Sequence, residues 1–318
     1  MNTLVKNILD AIYEPELTQR DFKVFGEHSV TLNDRRFIPF IAQSLDTSSL
    51  VIHEDQGQKI YHEKLNVSTP KTWCIIPEIV SKESVNRPAL IKEGTDTYKA
   101  TEWIVVHDTG DITYNAKEWS HICNTDHREV SWHFMVGDTE TYQNIPLEEV
   151  AWHAGDGGRT PDDIYFNRTY GSWAIGGGNK NGIGIESVVE PRTNYNQVMR
   201  NLAELVASLM KLYDLDITHV KQHNNFSGKN CPQAMRTSGD WPHFIKMVET
   251  YRAFLDLPED ITLSFKSLTP AILSDNGDVL VDVSKPTPVT YEVTVKGQDK
   301  VESLQYTTMI LPKAMPQA

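Results

Sequence analysis

The sequence predicts an α/β core followed by a small all-β module, and three stretches carry that reading. Trp103-Ile104-Val105-Val106 is a continuous apolar, β-branched run, the pattern of a strand covered on both faces. Between Asn194 and Tyr213, Val198, Leu202, Leu205, Leu209 and Leu212 recur at intervals of three and four, which is the period of a helix with one apolar face. Beyond Pro258 the texture changes to an alternation of apolar and polar residues, the period of half-buried strands. With 318 residues, 39% of them apolar, the chain can bury a sizeable core and hold more than one domain.

Residues 1–82 read as an accessory region. Leu4, Ile8 and Ile12 start it with a short helical spacing, and strand-like runs follow at Arg36-Phe37-Ile38-Pro39-Phe40-Ile41 and Ser49-Leu50-Val51-Ile52. No chemical motif occurs there. Lys82 to Pro88 and Glu93 to Thr97 read as a polar linker into a central domain spanning 83–257. That domain opens on the Trp103 strand, which ends in His107-Asp108-Thr109-Gly110. A histidine at the exit of a central strand lies where open sheets form their sites. Position alone reads equally well as a buried histidine satisfied by hydrogen bonds.

Asn115 is a plausible cap for a short helix to about Asn124. Val130 to Val136 and Glu140 to Ile145 then flank Gly137-Asp138-Thr139 as a β-hairpin. Trp132-His133 and Trp152-His153 are aromatic-histidine pairs that suit either ligands or the wall of a groove. The Gly-rich stretch from Gly158 to Asn181, with Tyr165, Phe166, Tyr170 and Trp173, reads as a lid or groove rim. Strand pattern returns at Gly182 to Val189, interrupted by Glu186. A carboxylate in an apolar run is either an edge residue or a buried acid/base. After the Asn194 helix, a final one spans about His243 to Leu255 behind Trp241-Pro242. In the last region, 258–318, strands are predicted at Ile261 to Phe265, Asp278 to Val283 and Thr290 to Val295, with a turn at Asp275-Asn276-Gly277-Asp278. They resemble a small immunoglobulin-like β-module, short for a complete sandwich.

Lys+Arg 30 against Asp+Glu 43 gives a formal charge of −13, which argues against a nucleic-acid groove or an anionic membrane surface as the main partner. Three cysteines, Cys74, Cys123 and Cys231, are odd in number and widely spaced, so no disulfide framework is expected and a thiol is free for a metal. Lys6, Asp10 and Glu14 break the N-terminal apolar pattern, unlike a secretory signal, and no run reaches transmembrane length.

The chemistry gathers on Lys221 to Pro232, where His223, Lys229 and Cys231 share one turn-rich segment with Gly228 and three asparagines. His and Cys are ligands that zinc prefers, and a loop of this composition can fold both onto one ion. A third ligand must come from elsewhere. Taken in order, Asn86-Arg87-Pro88, Val106 to Gly110, Ser131-Trp132-His133-Phe134, Trp152 to Gly157, Ile183 to Glu186 and His223 through Cys231-Pro232 resemble the type 2 N-acetylmuramoyl-L-alanine amidase family. These are the zinc amidases of phage endolysins and bacterial autolysins, which share a fold with peptidoglycan-recognition proteins. The match covers about 85 to 255.

The resemblance implies a mixed central sheet flanked by helices. It also implies hydrolysis of the amide between the lactyl group of N-acetylmuramic acid and the L-alanine of the stem peptide, at the bacterial cell wall. His107, His223 and Cys231 become the ligands of one zinc ion (Zn2+), leaving the fourth tetrahedral position open as in catalytic sites. Zinc would lower the pKa of a water to about 7 and polarise the scissile carbonyl. Glu186 becomes the proton carrier, and Lys229 the stabiliser of the oxyanion. Some relatives place a tyrosine where this chain has Trp132, whose indole does not exchange a proton at neutral pH. That leaves Trp132, His133, Trp152 and His153, with Asp108 and Thr109, as candidate substrate-binding residues. The partner is cell-wall peptidoglycan, with no nucleic acid and no membrane insertion. Two rival readings are a recognition module that binds peptidoglycan without cutting it, and a zinc peptidase acting within the stem peptide. Cys231 counts against the first, and the lack of a His-Glu-x-x-His helix against the second.

Overall fold

The computed structural model describes residues 3–13, 16–17, 19–23, 29–33, 50–55, 58–63, 74–92, 94, 99–155, 177–257, 260–275, 277–297 and 300–312. The elements run α1 (Thr3–Ile12), β1 (Glu16–Leu17), β2 (Gln19–Lys23), β3 (Ser29–Asn33), β4 (Leu50–Asp55), β5 (Gln58–Glu63), β6 (Cys74–Pro77) and β7 (Trp103–Val106). There follow α2 (Ala116–Thr125), β8 (Phe134–Val136), β9 (Glu140–Gln143), α3 (Gly178–Asn181), β10 (Gly182–Ser187), α4 (Tyr195–Tyr213) and β11 (Val220–Gln222). The chain ends in α5 (His223–Ser227), α6 (Gln233–Ser238), α7 (Trp241–Leu255), β12 (Thr262–Ser267), β13 (Thr287–Gly297) and β14 (Lys300–Ile310).

A six-stranded mixed sheet in the order β11-β7-β10-β8-β9-β6 forms the centre of one unit. β7 pairs parallel with both β10 and β11, β10 pairs parallel with β8, and β8 turns back antiparallel into β9. Ile104, Val105 and Val106 are all fully buried, as a run apolar on both faces requires. α4 packs on β7, β8 and β10, and α2 on β8 and β9. Asn115 caps α2 by accepting from Glu118 N–H while the Glu118 side chain returns to the cap backbone, a complete capping box. Asn194 caps α4 by accepting from Gln197 N–H. Residues 198 to 210 of α4 are buried all round and not only along the predicted stripe, whereas Leu212, the last member of that stripe, is 40% exposed.

The polar linker expected at 82–88 is exposed at Lys82, Glu83 and Val85 but packed at Asn86 and Arg87. Asn86 donates to the Cys123 carbonyl, and the buried Arg87 guanidinium meets Glu149 through Nε at 2.7 Å and Nη2 at 2.8 Å. A forked charge pair of this kind ties its loop to the segment after β9. Of the strand-like runs expected before residue 82, Leu50 to Ile52 lies in β4, and Arg36 to Ile41 falls outside the described residues.

The contacts divide the chain into Met1–Leu45 with Asp240–Ala318, and Asp46–Gly239. This grouping differs from sequential regions bounded at 82 and 257. β6 pairs parallel with β9 of the central sheet, and α7 contacts α1. In the first unit, β1-β14-β13-β12 form a four-stranded sheet, with β1 joining parallel to β14. The C-terminal β-module is therefore present as one sheet that takes in an N-terminal strand. Asp278 to Val283, expected as a strand, contributes only an isolated bridge from Val279 to Leu273, and Leu280 and Val281 are exposed. The strand that completes the module is β14, which pairs with β13 along all eleven residues.

Candidate metal centre

Three adjacent parallel strands come level at one row of the sheet, where β7 and β11 end and β10 runs on for two residues. Val106 of β7 is level with Ile185 of β10 on one side and with Gln222 of β11 on the other. The residue that follows in each is His107, just past β7, Glu186, within β10, and His223, the first residue of α5. Side chains alternate between faces along a strand, and in-register residues of parallel strands share a face. These three side chains therefore emerge together, on strands spaced about 4.8 Å apart. The ladder continues one step past β7, with His107 N–H donating to the Ile185 carbonyl at 2.9 Å.

Cys231 reaches the same point by a local turn. α5 ends at Gly228, whose φ of 74° is the left-handed conformation that closes helices and that glycine adopts without strain. The Asn224 amide donates to the Lys229 carbonyl at 2.8 Å and Asn224 N–H to the Cys231 carbonyl at 3.0 Å, so the start of α5 grips the returning chain. Asp108 holds the far side, its carboxylate accepting from Ala234 N–H at 2.7 Å in the first turn of α6.

The result is a cluster in which one donor atom each from His107, His223 and Cys231 lies within 4.8 Å of the others. His107 Nδ1 is 3.0 Å from His223 Nδ1 and 3.8 Å from Cys231 Sγ. All three residues are buried. Burial holds the His107 ring well below the ordinary histidine pKa, with His223, His153 and Lys229 adding to the effect. Burial likewise lowers His223, to about 4. Both imidazoles are thus neutral, with lone pairs available to a metal. Burial raises the Cys231 thiol well above its usual value, and Asp108 and Glu186 act in the same sense. A buried thiolate here needs a compensating cation, so two neutral imidazoles and a sulfur fit a metal such as zinc in donor type and number.

Glu186 is 15% exposed, with Oε1 3.8 Å from His107 Nδ1 and Oε2 buried without a hydrogen bond. Burial pushes its carboxyl well above the usual carboxylate range, Asp108 adding to that and Lys229 opposing it. The exposed Lys229 is the cation whose field reaches Glu186, Asp108 and all three cluster residues. Asp108 is itself raised to about 6, chiefly by burial.

The remaining expected residues have other surroundings. Trp132 is buried, its indole N–H donating to Asn144 Oδ1 at 2.9 Å. His133 is fully buried between two backbone groups: Nδ1 accepts from Gly184 N–H at 3.0 Å, which puts the proton on Nε2 for the Glu149 carbonyl at 2.9 Å. Neither offers a groove surface; both are core residues with their polar atoms satisfied. Asp108 reads as a loop anchor. Thr109 is partly buried, its hydroxyl donating to the Asp111 carbonyl at 3.0 Å. Trp152 is partly buried, with its backbone N–H donating to Ser131 Oγ at 3.0 Å. His153 lies against the cluster, with Nδ1 3.0 Å from His107 Nε2. The expected aromatic lid, with Tyr165, Phe166, Tyr170 and Trp173, lies outside the described residues. Asn224 acts as the turn-rich composition of its loop suggested, whereas Asn179 was not anticipated; its one signal is an asparagine within a Gly-rich run, which serves loops of any purpose.

Residues 97–234, which contain every residue of this cluster, match the family described as N-acetylmuramoyl-L-alanine amidase. The chain is 31% identical over 170 residues to the N-acetylmuramoyl-L-alanine amidase XlyA of Bacillus subtilis (strain 168), covering 52% of this chain and 48% of that protein. It is 30% identical over 138 residues to the N-acetylmuramoyl-L-alanine amidase CwlH of the same organism, covering 43% and 49%. The chain thus spans about half the length of these relatives. The solved catalytic domain of XlyA superposes with a TM-score of 0.44 at 27% identity, covering 55% of this chain and 98% of that one.

Proposed function

We propose that this chain, whose residues 97–234 belong to the N-acetylmuramoyl-L-alanine amidase family, is a zinc-dependent peptidoglycan hydrolase. It cuts the amide between the lactyl group of N-acetylmuramic acid and L-alanine, and acts at the bacterial cell wall. The observation that carries this reading is the row formed by His107, His223 and Glu186, with Cys231 folded against it. Three metal-type donors stand beside a carboxylate that burial has made basic enough to take a proton.

A zinc ion held by His107, His223 and Cys231 would polarise the scissile carbonyl and lower the pKa of the attacking water. Glu186 is the base that takes the water's proton and then the acid that delivers it to the leaving amine. A carboxyl with a raised pKa can do both near neutral pH. Its Oε1, 3.8 Å from His107 Nδ1, is the oxygen beside the cluster where that proton moves. Lys229 stabilises the negative charge that develops on the carbonyl oxygen. Loss of such a donor typically lowers the rate by about 100 to 1,000-fold. Asp108 keeps Cys231 in place by fixing the start of α6, and Trp152 supplies apolar surface for the substrate.

Mass spectrometry of the muropeptides released from purified walls tests the reaction. The expected products are stem peptides with a free L-alanine amine and muramic acid with a free lactyl carboxyl. New amines within the stem peptide would mark a peptidase, and no released product would mark a binding module. Chelation should abolish release and zinc restore it; full activity in excess chelator, with no bound metal, would overturn the zinc assignment.

A further inference from the structure

Both histidines of the cluster present Nδ1 to its centre, so the protein must deal with Nε2 of each. His107 Nε2 lies 3.0 Å from His153 Nδ1, with the two rings almost perpendicular at 85°. The His223 ring donates to the Ala154 carbonyl, and since its Nδ1 faces His107 the donor is Nε2. Two consecutive residues therefore meet the outward nitrogens of both ligands.

That dipeptide is held firmly. His153 N–H and Ala154 N–H both donate to Asn179 Oδ1, at 2.8 and 2.6 Å. The His153 ring lies directly on β10 at Gly184, where an added Cβ would come within 2.5 Å of the ring. A neutral imidazole carries one proton. Nδ1 can bind a metal only when that proton is on Nε2, and an acceptor opposite Nε2 favours that form. His153 Nδ1 is such an acceptor when its own proton sits on Nε2. That nitrogen is buried and has no hydrogen-bond partner among the described residues, and the Gly178 backbone favours a proton on the ring.

We propose that His153 is a positioning residue: it accepts from His107 Nε2–H and thereby fixes the tautomer and ring orientation that aim His107 Nδ1 at the metal, as the Ala154 carbonyl does for His223. The inference rests on the metal reading above and gives His153 a task other than lining a substrate groove.

Long-range 1H–15N spectra of the histidine rings in the zinc-loaded full chain test it on the wild-type protein. The expected pattern is His107 protonated at Nε2 and coordinated through Nδ1, with His153 unprotonated at Nδ1. Coordination through His107 Nε2, or a proton on His153 Nδ1, overturns the proposal. Zinc affinity, measured by competition with a chelator, supplies the second arm. His153→Leu should weaken binding by about 10 to 100-fold, the usual effect of losing an outer-shell partner. His153→Asn, whose Oδ1 can stand where Nδ1 stood, should recover most of that loss. Equal affinity of His153→Leu and wild type overturns this inference and leaves the metal reading intact, whereas a wild-type chain that takes up no zinc removes both.

Discussion

Replacing Glu186 by Gln tests the central step with little change of shape. The amide keeps the length and packing of the side chain on β10 but cannot take a proton. The carboxylate lies 3.8 Å from His107 Nδ1 and is not one of the three clustered donors, so metal content should stay at the wild-type level. General acid–base catalysis typically contributes about 100 to 10,000-fold. At about 1.4 kcal/mol per tenfold this is roughly 3 to 5 kcal/mol of barrier. Glu186 serves both the attack and the departure of the amine, which places the expected loss in kcat toward the upper end, with KM nearly unchanged. The wild-type rate should fall on the acid side as Glu186 takes up a proton, and the Gln variant should lose that limb. Stability moves the other way. Glu186 has its folded pKa raised, so its contribution is fully present below the unfolded value and is lost as pH rises through the folded one. Metal-free Glu186→Gln should therefore melt above metal-free wild type at pH 8, the gap closing toward pH 4. Steady-state assays on soluble muropeptides, zinc analysis and melting curves read all of this. A variant with full zinc and a rate within about tenfold of wild type would place the base elsewhere.

Lys229→Ala should lower kcat by about 100 to 1,000-fold with unchanged zinc content, as for an oxyanion donor; a change confined to KM would make Lys229 a binding residue. Asp108 is pushed up to about 6 from 3.8, so wild-type stability should fall as pH rises through that window, by an amount on the order of 3 kcal/mol. Asp108→Asn in the metal-free chain should remove that loss. Denaturant melts at pH 4 and pH 8 that show the same difference from wild type would refute it. Glu149→Ala leaves the Arg87 guanidinium buried and unpaired and should destabilise the domain by about 3 to 5 kcal/mol; a melting temperature within about 2 °C of wild type would mean that Arg87 finds water or another partner.

Elements whose signal is local were legible in the sequence. The buried strand at 103–106, the capped helices α2 and α4, and the hairpin of β8 and β9 each carry their own period, cap or turn, and tertiary context has only to agree with them. The C-terminal sheet depended on partners, and there local pattern was not enough. Asp278 to Val283 alternates as well as β14 does, but alternation does not name the strand to pair with. β13 is matched along its whole length by β14, where Tyr291 stands opposite Tyr306 with their rings stacked at 5.5 Å. That pairing leaves Asp278 to Val283 only one bridge. Nor does any local property of Glu16-Leu17 foretell that it joins β14 from more than 290 positions away. The linker reading of 82–88 missed the burial of Asn86 and Arg87 for a related reason. Arg87 looks solvated until Glu149, far along the chain, is brought against it.

In the candidate site the division falls between atoms that do chemistry and groups that hold them. Metal binding and proton transfer restrict residue type, so His107, His223, Cys231 and Glu186 were visible as types in order. What makes them a site is register. Val106, Ile185 and Gln222 stand level in three parallel strands, and a slip of one residue in β10 would carry Glu186 to the opposite face while His107 and His223 stayed. No residue type encodes that alignment. The supporting groups are equally anonymous: two backbone N–H groups on Asn179, a carbonyl at Ala154, and the space left by a missing side chain at Gly184. His153 shows the limit. Beside Trp152 in the sequence it has the company of a groove residue, yet its ring is set on β10 with Nδ1 against His107. Only the fold distinguishes a histidine that meets substrate from one that orients a ligand. Gly184→Ala would separate these roles without altering a polar atom, because a methyl group there must displace the His153 ring. The orienting role predicts that zinc affinity falls in Gly184→Ala as it does in His153→Leu, whereas a groove role predicts intact zinc and a raised KM.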